Sequence, residues 1–302
     1  MSENGLEFIL SNEALAQFLQ MSSCKGVSLS GEKGTAENIT LIDGILIKSS
    51  EDGERIISSA ASENKLVFAE VEVEGVINSP GELVLNPVAQ MLGGFTSMGA
   101  LYAVACSRLH SGDVIVSQTK SDIRFKQDKM FIDVPRAKVQ ELRTVDLAER
   151  FKSKVNFADK TFSKLLDDGV TNVETPLQYK LVVTPTIQSF IVEQSKDVGF
   201  LKHDKYTLKF DYENQEISTS YKQQIKIGRK EDISLEYTGD GESVDTFVKV
   251  AKDGIENVFN NIPLRGDDTL TMWLDPESRV SILSGELTVP KAKIKYGITF
   301  LE

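Results

Sequence analysis

Apolar and polar residues alternate along much of this chain. In Leu66-Val67-Phe68-Ala69-Glu70-Val71-Glu72-Val73-Glu74, Val71 and Val73 fall on one side and Glu70, Glu72 and Glu74 on the other. The stretches Tyr206 to Tyr212 and Asp268 to Leu274 repeat the pattern. A period of two with one apolar and one polar row predicts strands buried on one face and wetted on the other, the arrangement of antiparallel sheets. Turn formers punctuate these strands at Glu51-Asp52-Gly53, Ser79-Pro80-Gly81, Glu213-Asn214, Asp240-Gly241 and Arg265-Gly266.

Helical spacing is confined to short segments. Ser11 or Asn12 can cap a helix in which Leu15, Phe18 and Leu19 share a face. Asn86-Pro87 opens a second, with Pro87 in its first turn and Gly93-Gly94 at its end. Thr184-Pro185 opens a third, with Ile187, Phe190 and Ile191 on one face, and Ile255 to Ile262 forms a fourth that stops at Pro263.

The two halves of the chain read alike. Each begins with a short apolar strand, Leu6 to Leu10 or Tyr179 to Val183, that runs straight into a helix. Further strands follow, then a second helix, then closing hairpins near Phe131-Ile132-Asp133-Val134 in one half and Ile294 to Phe300 in the other. This predicts an α+β chain of two similar domains, residues 1–136 and 176–302, joined by a connector over 137–175. The connector is expected to lie on the surface with one or two helical turns, since a bare loop of that length is unusual. Val145, Leu147 and Phe151, or Phe162, Leu165 and Leu166, could dock it on a sheet.

Composition adds little chemistry. At 302 residues, with 40% hydrophobic and 26% charged, the chain has the make-up of an ordinary globular protein of two domains. No run approaches the roughly 18 apolar residues that span a bilayer, and the start MSENGLEFIL has no signal-peptide pattern. The expected location is the cytoplasm. Cys24 and Cys106 are read as reduced thiols, and the Asn38-Ile39-Thr40 sequon as a chance match. His110 and His203 are the only histidines, and neither a zinc pattern nor a phosphate-cradling glycine loop occurs. Asp167-Asp168, Asp267-Asp268 and Asp240-Gly241-Glu242 read as solvated turns, and Trp273 as a sheet residue. No cofactor, metal or catalytic residue is expected. A net charge of −11 confines any contact with nucleic acid to a local basic surface.

The order of elements resembles the sliding clamps of replicative polymerases, in the two-domain form found in tailed phages, archaea and eukaryotes that includes proliferating cell nuclear antigen. The strand-then-helix opening through Ser11 to Met21 is similar to the first clamp helix. Phe247 to Val250, Ile255 to Ile262 and Leu270 to Leu274 are similar to the second half of a phage clamp's C-terminal domain. Lys293 to Phe300 is similar to the last clamp strand, and Leu301-Glu302 to its short tail.

The resemblance implies a processivity factor without catalysis. Three subunits would join head to tail through sheet edges into a closed ring, with two short helices per domain lining the hole. Met130 to Val134 and Gln223 to Gly228 are the candidate edge strands. Partners would be encircled double-stranded DNA, the DNA polymerase, a clamp loader and two further copies of the chain. Asn12 to Met21 and Asn86 to Phe95 carry no Lys or Arg, so the basic lining falls to Lys25, Lys196, Lys202, Lys249, Lys252 and Arg265. The family's partner-peptide pocket, carried onto this chain, would be formed by Val145 and Leu147 of the connector, Val280 of the sheet, and Phe300 and Leu301 of the tail. The alternatives are a structural β-rich virion or assembly protein, and an enzyme whose carboxylates converge from distant positions.

Overall fold

The computed structural model describes residues 5–22, 45–61, 67–85, 89–91, 94–96, 111–135, 152–165, 172–197, 207–219, 233–240, 247–251, 258–275 and 280–299. The chain opens with β1 (Glu7–Ser11), α1 (Asn12–Ser22), β2 (Ile45–Ser49), β3 (Arg55–Ala61), β4 (Val67–Glu74), β5 (Val76–Ser79) and β6 (Glu82–Leu85). It continues with β7 (Ala89–Met91), β8 (Gly94–Thr96), β9 (Asp113–Gln118), β10 (Asp122–Gln127) and β11 (Met130–Pro135). A middle segment holds β12 (Val155–Asn156), β13 (Thr161–Leu165) and β14 (Asn172–Pro176). The remainder is β15 (Tyr179–Val183), α2 (Pro185–Asp197), β16 (Thr207–Asp211), β17 (Glu216–Thr219) and β18 (Ser234–Tyr237). Then come β19 (Phe247–Ala251), β20 (Thr269–Asp275), β21 (Val280–Leu287) and β22 (Ala292–Thr299).

The alternating stretches form the strands, and their apolar rows form the core. In β4, Val67, Ala69, Val71 and Val73 are buried, and in β20 Leu270, Met272 and Leu274 are buried. Every strand pairing described is antiparallel. A nine-stranded sheet in the order β18-β15-β20-β21-β22-β4-β3-β2-β6 runs through both halves, and a five-stranded sheet has the order β11-β10-β9-β1-β5. Gly75 stands where the chain leaves the first sheet for the second. A Cβ there would come within 2.5 Å of Ile56 Cδ1 and 2.9 Å of Leu10 Cδ2, so the crossing needs a residue without a side chain.

The topology repeats. In the first half β1 pairs with β5 and β9, β9 with β10, and β10 with β11. In the second, β15 pairs with β18 and β20, β20 with β21, and β21 with β22. Likewise β2 pairs with β3 and β6, as β16 does with β17 and β19. The halves meet where β22 pairs with β4, from Ala292 opposite Val73 to Ile298 opposite Val67.

Two sequence expectations change. The helix expected over Asn86 to Phe95 is not formed by its described residues: β7 and β8 make a hairpin with Met91 opposite Gly94. A segment this short between Pro and Gly-Gly gains too few helical bonds to offset nucleation, and a glycine pair serves a tight reversal as well as a helix stop. In the segment read as a connector, one helical turn at 152–154 is present, but β12, β13 and β14, which follow it, form a three-stranded sheet. Thr161, Phe162 and Val173 suit strands better than helix.

Candidate nucleic-acid interface and partner-docking face

The helical elements gather on one side of the sheets. Ser11 Oγ accepts a hydrogen bond from Ala14 N at 3.2 Å and caps α1, which buries Leu15, Phe18, Leu19 and Met21. Tyr296 of β22 donates its hydroxyl hydrogen to Met21 O, which fastens the end of α1 to the central sheet. Thr184 Oγ1 caps α2 in the same way, accepting from Ile187 N at 3.3 Å, with Pro185 as the first helical residue. Of the fourth helix, the described part is a turn at Val258 and Phe259. Gln188 of α2 donates from Nε2 to the carbonyls of Phe259 (2.7 Å) and Ile262 (2.6 Å). Gln20 of α1 donates to Asn260 O at 3.3 Å, so both helices are tied to that turn.

The basic residues expected here are distributed unevenly. Arg265 follows the helical turn and pairs with Glu13 in the first turn of α1, Nη1 to Oε1 at 3.4 Å, with both side chains more than half exposed. It is therefore at the helical side, with its charge partly countered by an acid on the neighbouring helix. Lys196 lies in the last turn of α2. Lys249 lies in β19, directly across from Lys209 of β16. Lys209 was not singled out from sequence, because only the strand register puts it beside Lys249. Lys25, Lys202 and Lys252 lie outside the described residues.

The opposite face of the central sheet carries a second, smaller apolar cluster. Phe68, Val155, Leu177, Val280 and Ile282 are buried in it, and Phe157, Phe162 and Trp273 pack partly buried around them. Val155, Phe157 and Phe162 belong to the middle segment, which thus lies over β4 and β21. Val280 sits in this cluster beneath the segment, at 2% exposure. Val145, Leu147, Phe300 and Leu301 lie outside the described residues. Beside the cluster, Lys152, Lys154, Val155, Phe157, Thr161 and Glu174 help line a shallow cavity of about 440 Å³.

Charge organises the same face. Glu70 receives Lys152 at 2.6 Å and Lys295 at 2.9 Å, so one carboxylate joins the middle segment, β4 and β22. Glu72 receives Arg55 at 3.1 Å and Lys295 at 3.8 Å, and Glu74 receives Lys291 at 3.4 Å. Burial pushes the Glu70 carboxyl up, but hydrogen bonds from Lys152 and Lys295 outweigh it and hold the group below its ordinary value. Lys152 Nζ also lies 5.5 Å from the Phe68 ring centre.

The third feature is an open edge. Among the described residues β11 pairs only with β10, and it exposes Met130 (39%) and Phe131 (56%). Arg124 donates to both carboxylate oxygens of Asp133 at 2.8 Å, which holds the Asp133 carboxyl below the usual range. The same guanidinium lies 4.4 Å from the Phe131 ring centre. Among the described residues no three His, Cys, Asp or Glu side chains converge as metal ligands, and no described helix is long and apolar enough to cross a membrane.

No protein-family model matches this chain, and neither does any curated protein. Solved structures do. PCNA of A. fulgidus, determined with the C-terminal region of FEN-1 bound, is 13% identical, with 98% of each chain covered and a TM-score of 0.59. PCNA of Thermococcus kodakaraensis is 9% identical over 98% of this chain and all of its own, at 0.55. The DnaN sliding clamp of Bartonella birtlesii is 12% identical over the whole of this chain and 67% of its own length, at 0.55. At such identities the likeness speaks to architecture, and it spans 98% of the first PCNA chain and all of the second. The chain has the fold of the DNA sliding clamps.

Proposed function

We propose that this protein is a DNA polymerase sliding clamp: a non-enzymatic processivity factor that closes into a ring of three subunits around duplex DNA. Residues 1–136 and 176–302 are its two clamp domains and 137–175 its connector. The observation that carries the ring is the incomplete symmetry of the repeat. In the second half β22 is covered by β4, whereas its counterpart β11 is open among the described residues. An uncovered edge with exposed Met130 and Phe131 invites another strand, and a head-to-tail ring covers it in every subunit.

The helical side would face DNA through Lys25, Lys196, Lys202, Lys249, Lys252 and Arg265. Weak contacts to phosphates suit sliding, because they carry no sequence information and do not fix the ring at one site. The opposite face would take short apolar peptides from the polymerase, a clamp loader and other clients. Val145, Leu147, Phe300 and Leu301 would line it from the connector and the tail, and Val280, which the middle segment covers, would support it from beneath. A solved neighbour carrying the C-terminal region of FEN-1 supports a tail-peptide mode of docking. The working compartment is the cytoplasm of a bacterium or phage-infected host.

Primer extension by the cognate polymerase, with and without the protein, tests this reading. The protein should lengthen the products of single binding events. Changing Lys196, Lys249 and Lys252 together to Glu should remove that gain without unfolding the chain. Unchanged product length with the wild-type protein, loader and polymerase all present would refute it.

A further inference from the structure

One row of the central sheet departs from the rest of its outward face. There β4 presents Phe68, Glu70, Glu72 and Glu74, and the register aligns each with residues of β22, β21 and β20. The row through Glu70 is polar: Thr271, Ser284, Lys295, Glu70. The row through Phe68 runs Trp273, Ile282, Gly297, Phe68, with Val280 beside it on β21. Gly297 puts no side chain between Ile282 and Phe68, which leaves a notch in an apolar strip. A glycine inside a strand marks a place where another chain comes close.

The middle segment covers this strip. Val155 is buried on it, and Phe157 and Phe162 pack against the same cluster. The Phe157 ring centre lies 6.3 Å from that of Phe68. Lys152 Nζ lies 5.5 Å from the Phe68 ring centre and 2.6 Å from Glu70. Among the described residues β12, β13 and β14 pair only with one another. Within the same unit Leu177 N donates to Lys160 O at 2.8 Å. Lifting β12 and β13 off the strip therefore breaks no strand pairing with β4 or β21. It parts Lys152 from Glu70, which keeps Lys295 at 2.9 Å, and it frees Val155, Phe157 and Phe162. Elements held in this way open at lower free energy than core strands.

We propose that the middle segment is a displaceable internal occupant of the strip, and that an external peptide of the same chemistry takes its place. Such a peptide carries a basic residue for Glu70 and apolar residues three and five positions further on. Lys152 is followed in this way by Val155 and Phe157. The exchange rests on the peptide-docking role proposed for this face and adds a condition to it: cover and ligand exclude one another. The cover is tethered through β14 to β15, so it competes at an effective concentration on the order of millimolar. A closed cover lowers the apparent affinity of a ligand by the fraction of molecules that are open.

Trp273 is the only tryptophan of the chain and lies at one end of the strip, so its fluorescence reports the cover. Acrylamide quenching of the full chain, without DNA or polymerase, compares the wild type with Lys152→Arg, Lys152→Glu and Phe157→Ala. Quenching should be weak and alike in the wild type and Lys152→Arg, and stronger in the other two, with the main melting transition kept in all four. A fluorescein-labelled peptide copying residues 152–163, followed by anisotropy, should bind Lys152→Glu and Phe157→Ala about tenfold or more tighter than the wild type. The same peptide with its first lysine changed to glutamate should lose that gain. Equal quenching in all four proteins would overturn the cover. Exposure of Trp273 without tighter peptide binding would overturn the exchange, as would a rise in particle mass above that of the wild type, which would assign the strip to a second copy's segment. Primer extension separates this from the clamp reading: a wild type that fails to lengthen products refutes the clamp, whereas quenching and peptide binding decide the cover.

Discussion

Glu70 holds three parts of the molecule together through one carboxylate, since Lys152 comes from the middle segment and Lys295 from β22. Because its folded pKa lies below the ordinary 4.5, its ionised form stabilises the fold at neutral pH. That contribution is full above about pH 4.5, and it fades as the pH falls through the depressed folded value. Glu70→Gln should therefore lower the melting temperature at pH 7, with the difference shrinking as the pH falls below about 4.5. Charge-assisted hydrogen bonds of this kind contribute roughly 1.5–3 kcal/mol. Thermal melts of both proteins from pH 3 to 8 measure this, and a constant difference across the range would show that Glu70 acts by packing instead. The sequence displayed Glu70, Glu72 and Glu74 as one polar row. It did not disclose their lysine partners, because Lys152 and Lys295 are 82 and 225 residues away from Glu70.

The middle segment is built differently from the connector of one or two helical turns that the sequence suggested. Of the two triplets that could dock it on a sheet, the one with Phe162 supplies a contact, since Phe162 packs against the cluster with Phe68, Val280 and Ile282. Its strands were not expected, because Lys152 to Leu165 lacks the strict alternation of β4 and β20. The strands and first helices that were legible have strong local signals: period-two rows in β4, β16 and β20, and Ser11 and Thr184-Pro185 as helix starts. The described residues of the Asn86 to Phe95 segment form strands and not a helix, since Pro and Gly-Gly punctuate hairpins as readily as helices. For docking, Val145→Ser combined with deletion of Leu301-Glu302 should abolish polymerase stimulation while leaving trimer mass and melting temperature almost unchanged. Removing one buried leucine-sized contact costs roughly 1.5–3 kcal/mol, enough to weaken a short peptide about tenfold or more. Normal stimulation by the double variant would place the pocket elsewhere.

At the scale of the whole molecule, the duplication was visible in the order of elements, and the register supplies its consequence. Only the pairings reveal that β22 and β11 are counterparts with different neighbours. Composition pointed away from nucleic acid, since −11 opposes broad contact with phosphates. The proposed ring would resolve that opposition, because retention would then depend on enclosure and not on affinity. The most direct measurement is retention on DNA of different topology. The protein is loaded onto nicked circular DNA, separated from free protein at moderate salt, and assayed before and after the circle is cut once. The account predicts that it stays on the circle and runs off the linear product within the time of the assay, with Lys196, Lys249 and Lys252 affecting loading more than retention. Equal retention on circular and linear DNA would contradict it.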